Sequence, residues 1–200
     1  MATMWEYVSE AISDIVDRPW KGTSRAGVAA EEIFFVLFMI YAFSQHGGYL
    51  FIDNANLPIH ECGHLLFGWF GNHMLTIWGG TILQWAVPLM LAIYFYTQRQ
   101  IYGFAFCLFF FFENWLYTAT YMADARAMAL PLVTVGDSDF VEHDWNSIFT
   151  WMGVLQYDTV IGGVVRFGGW LGMLGTSAWL ARKGLKSRWF AEPTEVFAPK

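Results

Sequence analysis

The residues His60-Glu61-Cys62-Gly63-His64 form an H-E-x-x-H motif. If this segment is helical, His60 and His64 lie one turn apart on the same face, and both imidazoles can bind one Zn²⁺ ion at about 2.0–2.1 Å. Glu61 would then lie beside a water molecule on that ion and could accept its proton as a general base. Zinc lowers the pKa of such a water to about 7. The motif therefore predicts metal-assisted hydrolysis with Glu61 as the catalytic residue.

A catalytic zinc ion usually has three protein ligands and one open position, so we expect one more ligand in the chain. Asp124 is the first candidate, because a carboxylate completes a site with two histidines and one acid. Its alternative role is a salt bridge with Arg126 or an interfacial charge. His143 is the second candidate, with Asp144 then orienting an imidazole. Binding by both Asp124 and His143 would give a closed and less catalytic site.

The composition indicates a membrane protein. Hydrophobic residues make up 56% of the chain and charged residues 14%, against roughly 45–50% and about 25% in average domains. A soluble domain of 200 residues could not bury this much apolar surface. The net charge of −6 gives no basic surface for nucleic acid. We therefore expect membrane lipid around the chain and no nucleic-acid partner.

The hydropathy pattern predicts an all-α fold, a polytopic membrane helical bundle with about four spans plus one partly inserted helix that carries the H-E-x-x-H motif. The predicted spans are 28–43, 74–97, 101–122 and 154–180. The segment 57–70 is too short for a full crossing, so we expect it to be partly inserted.

Three parts follow along the chain. Residues 1–27 are an N-terminal amphipathic helix and linker, 28–182 the transmembrane helical domain, and 183–200 a basic and polar tail. The amphipathic helix, over 5–16, would lie on the bilayer, on the rest of the protein or on a partner.

The charges predict an orientation. Basic residues precede the first span, occupy the turn at Arg99 and follow the last span, whereas the loop 133–147 is acidic. The positive-inside rule therefore places both termini and Arg99 in the cytoplasm. If 57–70 does not cross, this segment, the end of the span 101–122 and the acidic loop all face the outer side. The candidate ligands would then lie close together.

Polar residues within the spans are costly in lipid and are expected to face the bundle interior. Glu113 and Asn114 interrupt a run of phenylalanines and fit this expectation. Arg166 lies within the last span and needs a partner, for which Glu113 and Asp158 are the candidates. A structural ion pair is the expected result.

Small residues punctuate two of the spans. Gly168 and Gly172 form a small-xxx-small pair that permits close helix approach. Residues 79–81, with Gln84 and Pro88, interrupt the span 74–97. They predict either a packing kink or irregular backbone that lines the site and binds an extended peptide.

On these residues the chain resembles the integral-membrane zinc metallopeptidases of the site-2 protease type. The resemblance covers roughly 57–126 and rests on the H-E-x-x-H motif in an apolar segment, a glycine-containing span and a later aspartate. Residues 121–126 and 143–145 look like motifs of small bacterial membrane proteins of this kind. The resemblance implies that His60, His64 and Asp124 bind zinc and that Glu61 activates water. It also implies cleavage of peptide bonds within or beside membrane-spanning helices, in a bacterial inner membrane.

Two other functions stay open. A non-enzymatic membrane subunit could keep a structural metal and pack against a larger membrane complex. Four protein ligands would favour that role, whereas three plus an open position would favour catalysis on a peptide or membrane-protein substrate. A di-iron oxygenase is disfavoured, because such sites use many histidines and this chain has five.

Overall fold

The chain folds almost entirely into helices. A computed structural model describes residues 3–21, 23–46, 49–131 and 142–184. These residues contain no β-strand and form seven α-helices: α1 (Met4–Asp17), α2 (Arg25–Ser44), α3 (Asp53–Gly68), α4 (His73–Thr97), α5 (Ile101–Ala123), α6 (Asp144–Trp151) and α7 (Asp158–Gly184). A short 3-10 turn, Leu155–Tyr157, precedes α7. The all-α prediction is confirmed, and most of the predicted tail lies outside the described residues.

Side-chain caps explain where several helices begin. Thr3 and a glutamate three residues later form a capping box at α1. Ser24 and Asn72 accept backbone N–H groups at the starts of α2 and α4, at 3.0 and 2.9 Å. His143 caps α6, because its Nδ1 accepts the N–H of Asn146 at 3.2 Å. Residues 144–147, the end of the predicted acidic loop 133–147, are therefore helical, and the prediction of a loop there is wrong.

Three helices are long and apolar enough to cross a membrane: α2, α4 and α5. Their outward surface is apolar; on α2, for example, Leu37 is 61% exposed and Phe43 is 75% exposed. Exposed side chains of this kind, over the length of a helix, are typical of contact with lipid. The structure is therefore that of a membrane protein. Helix α7, the predicted fourth span, is not one of these three.

Several basic residues lie together at one end of the bundle. The N–H of Lys21 donates to the carbonyl of Arg99 at 2.7 Å. The Arg99 guanidinium lies over the ring of Trp20 and donates to the carbonyl of Arg18 at 3.0 Å. Trp20 in turn contacts Trp179, near the end of α7. We call this the basic end, and the opposite end, where α5 ends and α6 and α7 begin, the site end.

Helix α7 packs closely against α5 through its glycines. A Cβ on Gly162 would lie 2.8 Å from the carbonyl oxygen of Ala119, and one on Gly169 would lie 2.9 Å from that of Phe112. The predicted close approach of this glycine-rich helix is therefore confirmed. By contrast, a Cβ on Gly175 would meet open space.

Helix α3 packs along α4 with one face and leaves the other face exposed. It begins near the middle of α5, where the Asn56 amide donates to Glu113 at 3.3 Å. It then packs on α4, because a Cβ on Gly63 would lie only 2.2 Å from the carbonyl oxygen of Gly79. Helix α4 stays α-helical through Gly79 and Gly80. Of the two interpretations of these glycines, irregular backbone is therefore wrong, and the glycines serve helix packing by letting α3 approach closely.

Candidate metal centre

Three potential ligands meet at the site end. The Nε2 of His60 lies 2.8 Å from Oδ2 of Asp144, and the Nε2 of His64 lies 3.2 Å from the same oxygen. One ligand atom from each residue lies within 4.8 Å of the others. His60 and Asp144 are buried, and His64 is half-buried. Within the part of the chain that the structure describes, this is the one group of three or more such side chains able to hold a metal ion.

The side-chain amides of Gln84 and Asn114 hold the His60 ring in one orientation. Its Nδ1 lies 3.0 Å from Oε1 of Gln84. The Gln84 amide cannot be reversed without loss, since its Nε2 donates to Oδ1 of Asn114 at 2.8 Å. The Asn114 amide nitrogen donates to the carbonyl of Phe110 at 2.8 Å. Nδ1 of His60 therefore carries a hydrogen, which leaves the Nε2 lone pair directed at Asp144.

His64 is held in the same way by backbone. Its Nδ1 lies 2.8 Å from the carbonyl oxygen of Thr76, which can only accept. In the neutral ring, Nε2 therefore also carries the lone pair. Two lone-pair nitrogens and a carboxylate oxygen cannot approach so closely unless a positive charge, an added proton or a metal ion, lies between them. Donation from the far ring nitrogen is also what ligand histidines use around bound metals.

Gly80 provides the room in which the two imidazoles meet. A Cβ at this position would lie 2.5 Å from Nε2 of His60 and 2.6 Å from Nε2 of His64. Any side chain at position 80 would therefore overlap with the ring nitrogens of His60 and His64. The glycine is a requirement of the site as well as of helix packing.

Helix α6 presents Asp144 to the histidines. Asp144 is the first residue of α6, and its N–H donates to the hydroxyl of Tyr121 at 3.1 Å. The amide of Asn146 donates to the carbonyl of Ala125 at 2.8 Å, which ties α6 to the end of α5. The ring of Trp145 packs edge-on against Trp78 of α4, with centroids 5.5 Å apart. These contacts hold the first turn of α6 against α4 and α5, and they thereby position the Asp144 side chain near the histidines.

The charge state of Asp144 suits a ligand. Burial alone would raise the pKa of this carboxyl, but the contacts with His60 and His64 outweigh burial and hold the pKa below its ordinary value. Asp144 is therefore ionised at neutral pH, as a metal-binding carboxylate must be.

The structure does not bring Asp124 or His143 into this group. The carboxylate of Asp124 accepts the N–H groups of Ala129 and Leu130, both at 3.0 Å, and so shapes the turn after α5. Nε2 of His143 lies 3.4 Å from Oδ2 of Asp124. Burial lowers the pKa of His143 in spite of this neighbour, so the ring is neutral at pH 7. Asp144, which we expected only to orient an imidazole, occupies the place predicted for the third ligand.

Glu61 and the hydroxyl of Tyr121 lie near the cluster. Glu61 directly follows His60 on α3 and is half-buried. The Tyr121 ring lies 6.2 Å from His60 and 4.3 Å from His143, between centroids. Neither Tyr121 nor Gln84 was among the site residues predicted from the sequence, where Gln84 was only part of an interrupted span. The spacing of Gln84 from Gly80, one helical turn, was the available signal for its role.

The distances suit a metal with short bonds. Two ligands of a tetrahedral ion with bonds of about 2 Å lie about 3.3 Å apart. The separations of 2.8 and 3.2 Å here come close to that value, so a small outward shift of Asp144 would admit the ion. The donor set of two imidazoles and one carboxylate is therefore able to hold a metal ion.

Comparisons with protein-family models, with curated proteins and with solved structures find no match to this chain. The geometry of His60, His64 and Asp144 is therefore what supports a functional proposal.

Proposed function

We propose that this protein is a membrane-embedded zinc metallopeptidase of the site-2 protease type that hydrolyses a peptide bond in a membrane-associated substrate. The observation that carries the proposal is the convergence of Nε2 of His60, Nε2 of His64 and Oδ2 of Asp144, with both Nδ1 atoms held by acceptors. Zinc is the metal we propose, because two imidazoles and one carboxylate are a frequent ligand set of catalytic zinc.

The residues of the site would have three different roles. His60, His64 and Asp144 would hold the ion, which when bound supplies Lewis acidity and makes water a stronger acid. Glu61 would accept a proton from the attacking water and deliver it to the leaving amine. Gln84 would keep His60 in the tautomer that leaves Nε2 free for the metal.

The number of donors supports catalysis over a purely structural metal. The cluster has three donors among the described residues, and His143, whose Nε2 lies 3.4 Å from Oδ2 of Asp124, is not one of them. A structural zinc site normally has four protein ligands.

We propose α7 as a fourth span. Its exposed apolar side chains recur every three or four residues, as expected for one lipid-facing side: Val160, Val164, Phe167, Leu171 and Leu174. This stripe covers about 21 Å of helix. With α3 partly inserted, four spans place both termini on one side.

The basic end would then face the cytoplasm of a bacterial inner membrane, because Lys21 and Arg99 lie there. The metal centre would open towards the outer side, where the site end lies. A substrate would be a peptide segment at or just within the outer leaflet.

Glu61→Gln tests the enzymatic part of the proposal. The protein and the variant would each be reconstituted with bacterial inner-membrane proteins, and new N-termini would be identified by mass spectrometry. We expect cleavages that require the unmodified protein and fall at least a hundredfold in the variant, since removing a general base costs about 10²–10⁴ in rate. Glu10→Gln, on the exposed surface of α1, is the matched control and should cleave normally.

Metal content must be measured in the same samples. The Glu61→Gln variant should keep its zinc, because Glu61 is not one of the three ligands. Equal cleavage by the variant and the unmodified protein would refute the enzymatic role while leaving the metal centre intact.

A further inference from the structure

An open cavity lies at the site end, between α2, α5 and α7. Its volume is about 280 Å³. Its lining combines charged, hydroxyl and aromatic side chains, among them Phe43, His46, Asp53, Thr120, Arg166 and Trp170. None of these belongs to the metal cluster, so the cavity needs its own explanation.

Arg166 has no acidic partner among the residues that the structure describes. Its Nη2 donates to the hydroxyl of Thr120 at 3.0 Å, and no carboxylate of the described residues lies within ion-pair distance. The expected partners are occupied elsewhere: Asp158 pairs with Arg126 at 2.7 Å, and Glu113 accepts from Asn56. The predicted ion pair of Arg166 is therefore wrong. A half-buried guanidinium has five N–H donors, and in lipid the remaining donors favour an anion.

Asp53 lines the same cavity but does not neutralise Arg166. One of its oxygens accepts the N–H of Leu50 at 2.7 Å, and the other accepts the amide of Asn56 at 3.2 Å. The same amide nitrogen of Asn56 lies 3.3 Å from Oε2 of Glu113, so the two carboxyl groups lie side by side. Two buried carboxyls in contact cannot both ionise easily, so the pair carries about one negative charge. The cavity therefore offers a separated positive and negative charge.

We propose that this cavity binds the headgroup of a zwitterionic phospholipid with a free ammonium group, as in phosphatidylethanolamine. Arg166 would bind the phosphodiester, with the hydroxyl of Thr120 holding the guanidinium in place. Asp53 would receive the ammonium. The negative charge of Asp53 disfavours a dianionic inorganic phosphate, which distinguishes the lipid from a free anion.

The surroundings of the cavity suit the rest of a lipid. Phe43 is 75% exposed and packs edge-on against Trp170, with centroids 6.4 Å apart. Phe167, next to Arg166 on α7, is 64% exposed. An acyl chain could lie along this aromatic surface while the headgroup enters the cavity.

Native mass spectrometry of the delipidated full-length protein tests the proposal. The probes are dioleoyl-phosphatidylethanolamine, dioleoyl-phosphatidylglycerol, dioleoylglycerol and inorganic phosphate. We expect the unmodified protein to retain one phosphatidylethanolamine, to bind phosphatidylglycerol more weakly, and to retain neither dioleoylglycerol nor inorganic phosphate. Arg166→Gln should weaken retention of both phospholipids about tenfold or more, because a charge-assisted interaction is lost.

Two further variants sharpen the result. Arg182→Gln removes a positive charge from the last turn of the same helix, outside the cavity, and should bind as the unmodified protein does. Asp53→Asn should abolish the preference for phosphatidylethanolamine over phosphatidylglycerol.

Equal retention of dioleoylglycerol, or unchanged binding by Arg166→Gln, would overturn the lipid site. Displacement of the lipid by inorganic phosphate would assign the cavity to a free anion instead and overturn the lipid source. The comparisons of phosphatidylethanolamine with dioleoylglycerol and with inorganic phosphate use only the unmodified protein. They therefore test the proposal even if a variant fails to fold.

Discussion

Replacing Gly80 by alanine should weaken zinc binding at the candidate metal centre at least tenfold while leaving the fold in place. The new Cβ would lie 2.5 Å from Nε2 of His60 and 2.6 Å from Nε2 of His64, where ordinary contact begins at 3.4 Å. One or both rings must therefore move by about 0.9 Å, several times the tolerance of about 0.2 Å for a metal–ligand bond. The atoms that clash with the new Cβ belong to the imidazole rings of His60 and His64, and these rings can rotate away without moving a helix.

The magnitude follows from this displacement. Losing one well-placed imidazole should weaken zinc affinity at least as much as losing a partner that orients it, about 10- to 100-fold. Overpacking should cost the apoprotein about 1–3 kcal/mol of unfolding free energy, partly offset by the higher helix propensity of alanine, about 1 kcal/mol.

The assay is zinc competition against a fluorescent chelator in detergent, with circular dichroism to verify the helices. Gly175→Ala is the matched control, because a Cβ there meets open space on α7. It should bind zinc normally and be equally or slightly more stable. Gly80→Ala binding zinc within twofold of the unmodified protein, with its helices intact, would refute the assigned position of the imidazoles.

Three other predictions concern the residues around this centre. Gln84→Leu should weaken zinc binding about 10- to 100-fold in the same competition assay, whereas Gln84→Glu, which keeps an acceptor for His60, should retain most of it. Asp144→Asn should abolish stoichiometric zinc, as measured by elemental analysis. Asp124→Asn should keep the zinc but lower the unfolding free energy by about 1–3 kcal/mol, because the Asp124 carboxylate stabilises the turn after α5. The reverse pattern would make Asp124 the ligand. Asp158→Ala should lower the thermal midpoint without changing zinc content, because that buried carboxylate accepts three N–H groups at the start of α7; an unchanged midpoint would mean the pair contributes nothing to stability.

The fold was largely predictable because the helices of a membrane protein must satisfy their own backbone and present apolar side chains to lipid. Long apolar runs therefore locate α2, α4 and α5 within a few residues. The short helix α6 escaped prediction, because its eight residues carry a weak periodic signal within an acidic stretch. Its cap is a histidine, which is not among the preferred capping residues.

The site was predictable only in part. The spacing of His60 and His64 follows from one helical turn, so a single segment of sequence specifies their convergence. The third partner comes from another helix, and nothing local distinguishes Asp124 from Asp144, which both lie near the same end. The choice depends on how α6 docks through Tyr121 and Trp145, which is a tertiary property. The role of Gly80 likewise depends on how α3 approaches α4.

X-ray absorption at the zinc edge of the purified protein, combined with elemental analysis, measures the central claim most directly. We predict one zinc per chain, bound by the imidazoles of His60 and His64 and the carboxylate of Asp144 at about 2.0–2.2 Å, with one further light-atom ligand that is not protein. A chain that stays metal-free after zinc loading, or a spectrum with no imidazole scattering, would contradict it.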